Sequence, residues 1–122
     1  MEKTKIYHNP RCGTSRKVLA ALESKGLSPE IIEYLKNPPS ETELDAILKM
    51  MNAEPEAILR KKEDAYPAFA AKNPSRKEWL KILSENPILI ERPIVVKGSK
   101  AVLARPPENL EKLFRSSDRP NS

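Results

Sequence analysis

The stretch Lys5-Ile6-Tyr7-His8-Asn9-Pro10-Arg11-Cys12-Gly13-Thr14-Ser15-Arg16-Lys17-Val18 holds the change of period from which the rest of the chain is read. Lys5–Tyr7 has the bulk of a short strand, and His8-Asn9-Pro10 has the residues of a turn. From Gly13 onward Val18, Leu19, Ala21 and Leu22 follow a helical stripe that ends near Lys25-Gly26, with Gly26 suited to a C-terminal cap. Cys12 therefore falls between a strand end and a helix start. Gly13, Thr14 and Ser15 are small, so backbone N–H groups can point at whatever lies beside the sulfur. A helix N-terminus carries roughly half a positive charge, which favours a thiolate and can hold an anion. His8, Arg11 and Arg16 add cationic or donor groups close by in sequence, and such surroundings make a cysteine nucleophilic. Thr14 and Ser15 equally suit the opening of a helix for its own sake, and His8 equally suits a bond to the backbone.

Cys12 is the single cysteine of the chain. An internal disulfide and a multi-cysteine zinc site are excluded by counting. The second position of a Cys-x-x-Cys pair is Ser15, so any resolving thiol must come from another molecule. The Cys-x-x-x-x-x-Arg loop of cysteine phosphatases is also missing, because its arginine position is Val18. Arginines for an oxyanion must then come from elsewhere, and Arg60, Arg92 and Arg105 are the candidates. Arg60 is expected to end a short helix over Pro55–Lys61, while Arg92 and Arg105 each precede a proline at a strand boundary. Several guanidinium forks suit a tetrahedral oxyanion because they pair with its oxygens bidentately. Surface charge is the competing reading of the same three residues.

Glu30–Leu35 reads as a second strand, with Ile31, Ile32 and Tyr34 supplying its bulk, which completes a β-α-β unit. After the break at Asn37-Pro38-Pro39, Ser40 and Glu43 form a capping box before a helix whose inner face is Leu44, Ile47, Leu48 and Met51. Ser75 and Glu78 repeat the device before a helix facing inward through Trp79, Ile82 and Leu83. Ile94–Val96 and Ala101–Leu103 flank Lys97-Gly98-Ser99-Lys100 as a hairpin. Pro106-Pro107 opens a last short helix with Leu110, Leu113 and Phe114 inward. The order is α/β, that of a thioredoxin-like fold: β-α-β, a helical insertion over about residues 40–85, a β-hairpin and a C-terminal helix. A single domain over residues 1–115 is expected, with a disordered polar tail over 116–122.

Apolar residues make up 39% of the chain and charged residues 32%, at a net charge of +5, which fits a small globular domain. The positive balance suits anionic small molecules. Nucleic acid is not expected as a partner, because the basic residues are scattered and aromatics are only 5%, leaving no stacking platform. No apolar run approaches a membrane span, and the charged Met1–Lys5 does not resemble a secretion signal, so the expected location is cytoplasmic. No metal or bound organic cofactor is indicated.

At this point the chain resembles the glutaredoxin-coupled arsenate reductases. The segments that carry the resemblance are Tyr7–Arg16, Leu59-Arg60-Lys61-Lys62, Asn86–Leu89 with Glu91–Val96, and Arg105-Pro106. Lys62–Tyr66 and Arg105–Glu108 are closer to a shorter branch of that family. The resemblance implies that the Cys12 thiolate attacks arsenate and that Arg60, Arg92 and Arg105 hold the oxyanion. It also implies that His8 helps lower the thiol pKa and that Pro93 is cis. Glutathione would be a co-substrate and glutaredoxin the partner that resolves the mixed disulfide. Two other readings are a glutathione-dependent reductase of another substrate and an Spx-like regulator that binds RNA polymerase. The regulator typically senses oxidation through Cys-x-x-Cys, which Ser15 does not supply.

Overall fold

The structure, a computed structural model, describes residues 3–114. They form two compact units, one of residues 3–32 with 92–114 and one of residues 33–91. The tail expected over 116–122 lies outside the described residues. No helix among them is long and apolar enough to cross a membrane.

The first unit is built on a sheet in the order β2-β1-β3-β4. Its strands are β1 (Thr4–His8), β2 (Glu30–Glu33), β3 (Ile94–Lys97) and β4 (Lys100–Leu103). β1 pairs antiparallel with β3, and β3 antiparallel with β4, so that Ile6 stands opposite Val95 and Val95 opposite Val102. This cross-strand row meets Val18 and Leu22 of helix α1 (Gly13–Ser24), together with Ala104, Leu110 and Leu113, in one buried cluster. Burial of such β-branched and leucine side chains contributes about 1.5–3 kcal/mol each before entropy is counted. Gly26, at φ +84°, takes the left-handed conformation that lets the chain leave α1. Gly98 does the same at φ +61° in the two-residue turn between β3 and β4. The short helix expected after Pro106 is a 3-10 helix, Pro107–Leu113, which buries Leu110 and Leu113. Phe114 follows it, with Lys25 Nζ 4.6 Å and Lys97 Nζ 5.5 Å from its ring centre.

The second unit is helical. Its elements are α2 (Glu41–Met51), α3 (Tyr66–Ala70) and α4 (Arg76–Glu85), with 3-10 turns at Pro55–Ile58 and Pro87–Leu89. Both capping boxes form, at Ser40/Glu43 and at Ser75/Glu78. α2 buries Leu44, Ile47 and Leu48, and α4 buries Trp79, Leu80 and Leu83. Leu80 thus takes the fully inward place expected for Ile82, which is only half-buried. The Arg76 guanidinium, at the start of α4, reaches Asp45 at 2.9 Å and Glu54 at 3.0 Å, tying α4 to α2 and to the segment after it.

Two further expectations are corrected. Strand β2 stops at Glu33, because Lys36 and Asn37 both donate to the Glu33 carbonyl and turn the chain. The helix expected over Pro55–Lys61 is a 3-10 turn ending at Ile58. Leu59 is extended and buried, bridged antiparallel to Ile90, with Arg60 N donating to Leu89 O and Glu91 N to Ile58 O. A pairing to a segment thirty residues away has replaced the local helical bond.

Ser40→Ala removes the side-chain oxygen that accepts from the Glu43 N–H at 3.1 Å. It is expected to lower the free energy of unfolding by about 1 kcal/mol in chemical denaturation, with the alkylation rate of Cys12 unchanged.

Candidate active site

Cys12 is the N-cap of α1, with extended backbone at φ −94° and ψ 122°. Its N–H donates to Asn9 O at 3.0 Å, closing the turn after β1, and its carbonyl accepts the Arg16 N–H as the first bond of the helix. The turn carries its own local bond, from the Arg11 N–H to Asn9 Oδ1 at 3.0 Å. Behind it lies Ser15, fully buried, whose hydroxyl accepts the Asn9 N–H at 3.1 Å. His8 Nδ1 is 2.6 Å from the same oxygen, so the histidine at the end of β1 is locked against the first turn of α1.

The sulfur sits in a polar environment although the residue is only 8% exposed. Arg105 donates from Nη1 to the sulfur at 3.6 Å and to the Arg92 carbonyl at 3.1 Å. Arg92 is itself buried and acts on the thiol both through its charge and through a hydrogen bond. Burial pushes the Cys12 thiol up. The Ser15 backbone N–H, then the Arg105 side chain, then Arg92 pull it down further, and the thiol ends below its ordinary value. A thiolate is thereby favoured inside a partly dehydrated pocket.

Of the residues singled out in the sequence, the first unit brings together Cys12, Ser15, Arg92 and Arg105, with His8 joined to Ser15. Gly13 and Thr14 are the first two residues of α1, where backbone N–H groups have no carbonyl of the helix to bond. A Cβ at Gly13 would meet nothing nearer than the Arg16 guanidinium at 3.8 Å, so packing does not demand glycine there. Arg16 turns back to donate to Pro10 O at 2.9 Å. Arg60 belongs to the helical unit, where its guanidinium pairs with Glu63 at 3.0 Å. Glu63 was not singled out in the sequence, although its three-residue spacing from Arg60 is a readable ion-pair signal. The Arg92–Pro93 bond is cis, as the family resemblance implied, and Arg105–Pro106 is cis as well.

A sheet in the order β2-β1-β3-β4, with a cysteine at the start of the helix after β1, defines a thioredoxin-like α/β unit. The chain belongs to the ArsC family, whose profile matches residues 7–113. It is 40% identical over 114 residues to an arsenate reductase of Neisseria meningitidis serogroup A, spanning 91% of this chain and 97% of that one. Identity to an arsenate reductase of Rhizobium meliloti is 43% over 105 residues, spanning 84% and 75% respectively. The solved structure of an arsenate reductase from Vibrio cholerae superposes with a TM-score of 0.84 at 38% identity, over 90% of this chain and 97% of that one.

The lowered thiol pKa has a definite sign in kinetics. The thiolate fraction rises with pH through the folded-state value, so the iodoacetamide rate of Cys12 is expected to reach half its plateau at a lower pH than that of an unperturbed cysteine. Arg105→Ala removes a group that pulls the value down. Its midpoint is expected to move up and its rate at pH 7 to fall, measured by alkylation across a pH series.

Proposed function

We propose that this chain is an arsenate reductase that converts arsenate to arsenite through the Cys12 thiolate. The observation that carries this reading is the arginine-lined thiol, with Arg105 at 3.6 Å from the sulfur and Arg92 acting on the same group, in a member of the ArsC family. A nucleophile and cationic donors at one point are what attack on a tetrahedral oxyanion requires, because charge accumulates on its oxygens as the sulfur bonds to arsenic.

In the first step the Cys12 sulfur bonds to arsenic and one arsenate oxygen leaves, protonated, as water. Arg92 and Arg105 offset the charge on the remaining oxygens, and the first N–H groups of α1, at Gly13 and Thr14, are further donors for them. In the second step glutathione forms a sulfur–sulfur bond with Cys12, the electron pair of the sulfur–arsenic bond stays on arsenic, and arsenite departs. Arsenic has gained two electrons and the two thiols have become a mixed disulfide. Glutaredoxin then removes glutathione from Cys12 by thiol exchange. One cysteine suffices because the second thiol is supplied by glutathione. The resemblance gives Arg60 a share in holding the oxyanion, and gives His8 a share in tuning the thiol. His8 acts in this reading through Ser15, whose hydroxyl it contacts and whose backbone N–H faces the sulfur. Glutathione and glutaredoxin point to the reducing cytoplasm as the working compartment.

Arsenate-dependent NADPH oxidation, coupled through glutathione, glutaredoxin and glutathione reductase, tests this function. Cys12→Ser is expected to abolish turnover while the chain stays folded. Arg105→Ala is expected to cost on the order of 10²-fold in kcat, the scale for losing one oxyanion donor. Undiminished turnover by Cys12→Ser would overturn the proposal.

A further inference from the structure

We propose that Asn109 is a positioning residue, whose side-chain amide holds the Leu103–Arg105 turn so that the Arg105 guanidinium lies at the Cys12 sulfur. The inference rests on Arg105 as a group acting on Cys12, and it is independent of which oxyanion the thiol attacks.

The chain leaves β4 at Leu103 and reaches Arg105 in two residues. Three backbone groups of this short turn are pinned. The Ala104 N–H donates to Pro93 O at 2.9 Å, with the Ala104 side chain fully buried. The two carbonyls on either side of Ala104 go to one atom: Asn109 Nδ2 donates to Leu103 O at 3.2 Å and to Arg105 O at 3.1 Å. The amide nitrogen has two hydrogens, and each carbonyl takes one. No other common side chain of this length offers both donors from a single nitrogen. A carboxylate there would face two carbonyl oxygens with acceptors alone. Asn109 is itself fixed by its place in the 3-10 helix, where its N–H donates to Pro106 O at 3.0 Å.

This clamp acts on the backbone, and its consequence is felt at the end of a long side chain. Arginine loses as much as about 2 kcal/mol of rotamer freedom when ordered, so its guanidinium stays at a chosen point only if its base is fixed and its head has partners. The head is held by the Arg92 carbonyl at 3.1 Å and the Cys12 sulfur at 3.6 Å. The base is held by Asn109. Removing the clamp frees the Arg105 carbonyl and lets the turn relax, which draws the guanidinium from the sulfur without touching Cys12, Arg92 or Arg105 themselves.

The test is the pH profile of Cys12 alkylation by iodoacetamide in Asn109→Ala and in the near-isosteric Asn109→Asp, each checked for folding by circular dichroism, and in both combined with Arg105→Ala. In the otherwise unaltered chain each folded variant is expected to raise the midpoint by about half to one pH unit, and so to slow the reaction about threefold to tenfold at pH values well below the midpoint. In the Arg105→Ala background the same substitution is expected to change the rate less than about twofold, since two residues acting through one contact are not additive. A midpoint unchanged in the folded variants overturns the inference. So does an equal shift in both backgrounds, because Asn109 would then act on the thiol by another route. None of these measurements uses arsenate, so a wild-type chain that fails to reduce arsenate overturns the proposed function and leaves this result to be judged on its own.

Discussion

The buried hydroxyl of Ser15 is the point at which strand β1, the Asn9–Cys12 turn and helix α1 are joined. A buried oxygen with no partner would cost about 1–3 kcal/mol. Here it takes the Asn9 N–H at 3.1 Å and faces His8 Nδ1 at 2.6 Å. Those contacts fix where α1 begins, and so they fix Cys12 as its N-cap with the Ser15 N–H facing the sulfur. The residue that denies the chain a Cys-x-x-Cys pair is therefore the one that builds the socket for its single thiol.

Cys12 illustrates how two opposed effects are decided. At 8% exposure its burial resists ionisation, and by itself that would leave an inert thiol. Burial also strengthens every directed interaction that remains, because water no longer screens it. The Ser15 N–H, Arg105 and Arg92 together outweigh the loss of hydration, and the thiol falls below its ordinary value.

The helical unit shows what local signals can and cannot carry. Both capping boxes were legible because each is a contact between residues three apart, set by the geometry of one helical turn. The surroundings of Arg60 were not. The sequence Pro55–Lys61 reads as a helix, yet Leu59 pairs with Ile90 and leaves Arg60 to open a turn, its carbonyl accepting the Glu63 N–H and its guanidinium pairing with the Glu63 carboxylate. A bridge between segments thirty residues apart has no period within either of them.

The amino-acid sequence alone determined the β-α-β opening, the hairpin about Gly98, the placing of Cys12 at a helix start and the exclusion of an internal disulfide. Each follows from spacing within one element or from the count of one residue type. Only the tertiary structure decided which arginines of the sheet unit reach the sulfur, that His8 meets Ser15, and that Asn109 clamps the turn behind Arg105. Those contacts depend on how β1, β3, β4 and the C-terminal 3-10 helix pack. Residues 12 and 105 are brought together by the antiparallel pairing of the sheet, which no stretch of the sequence records within itself.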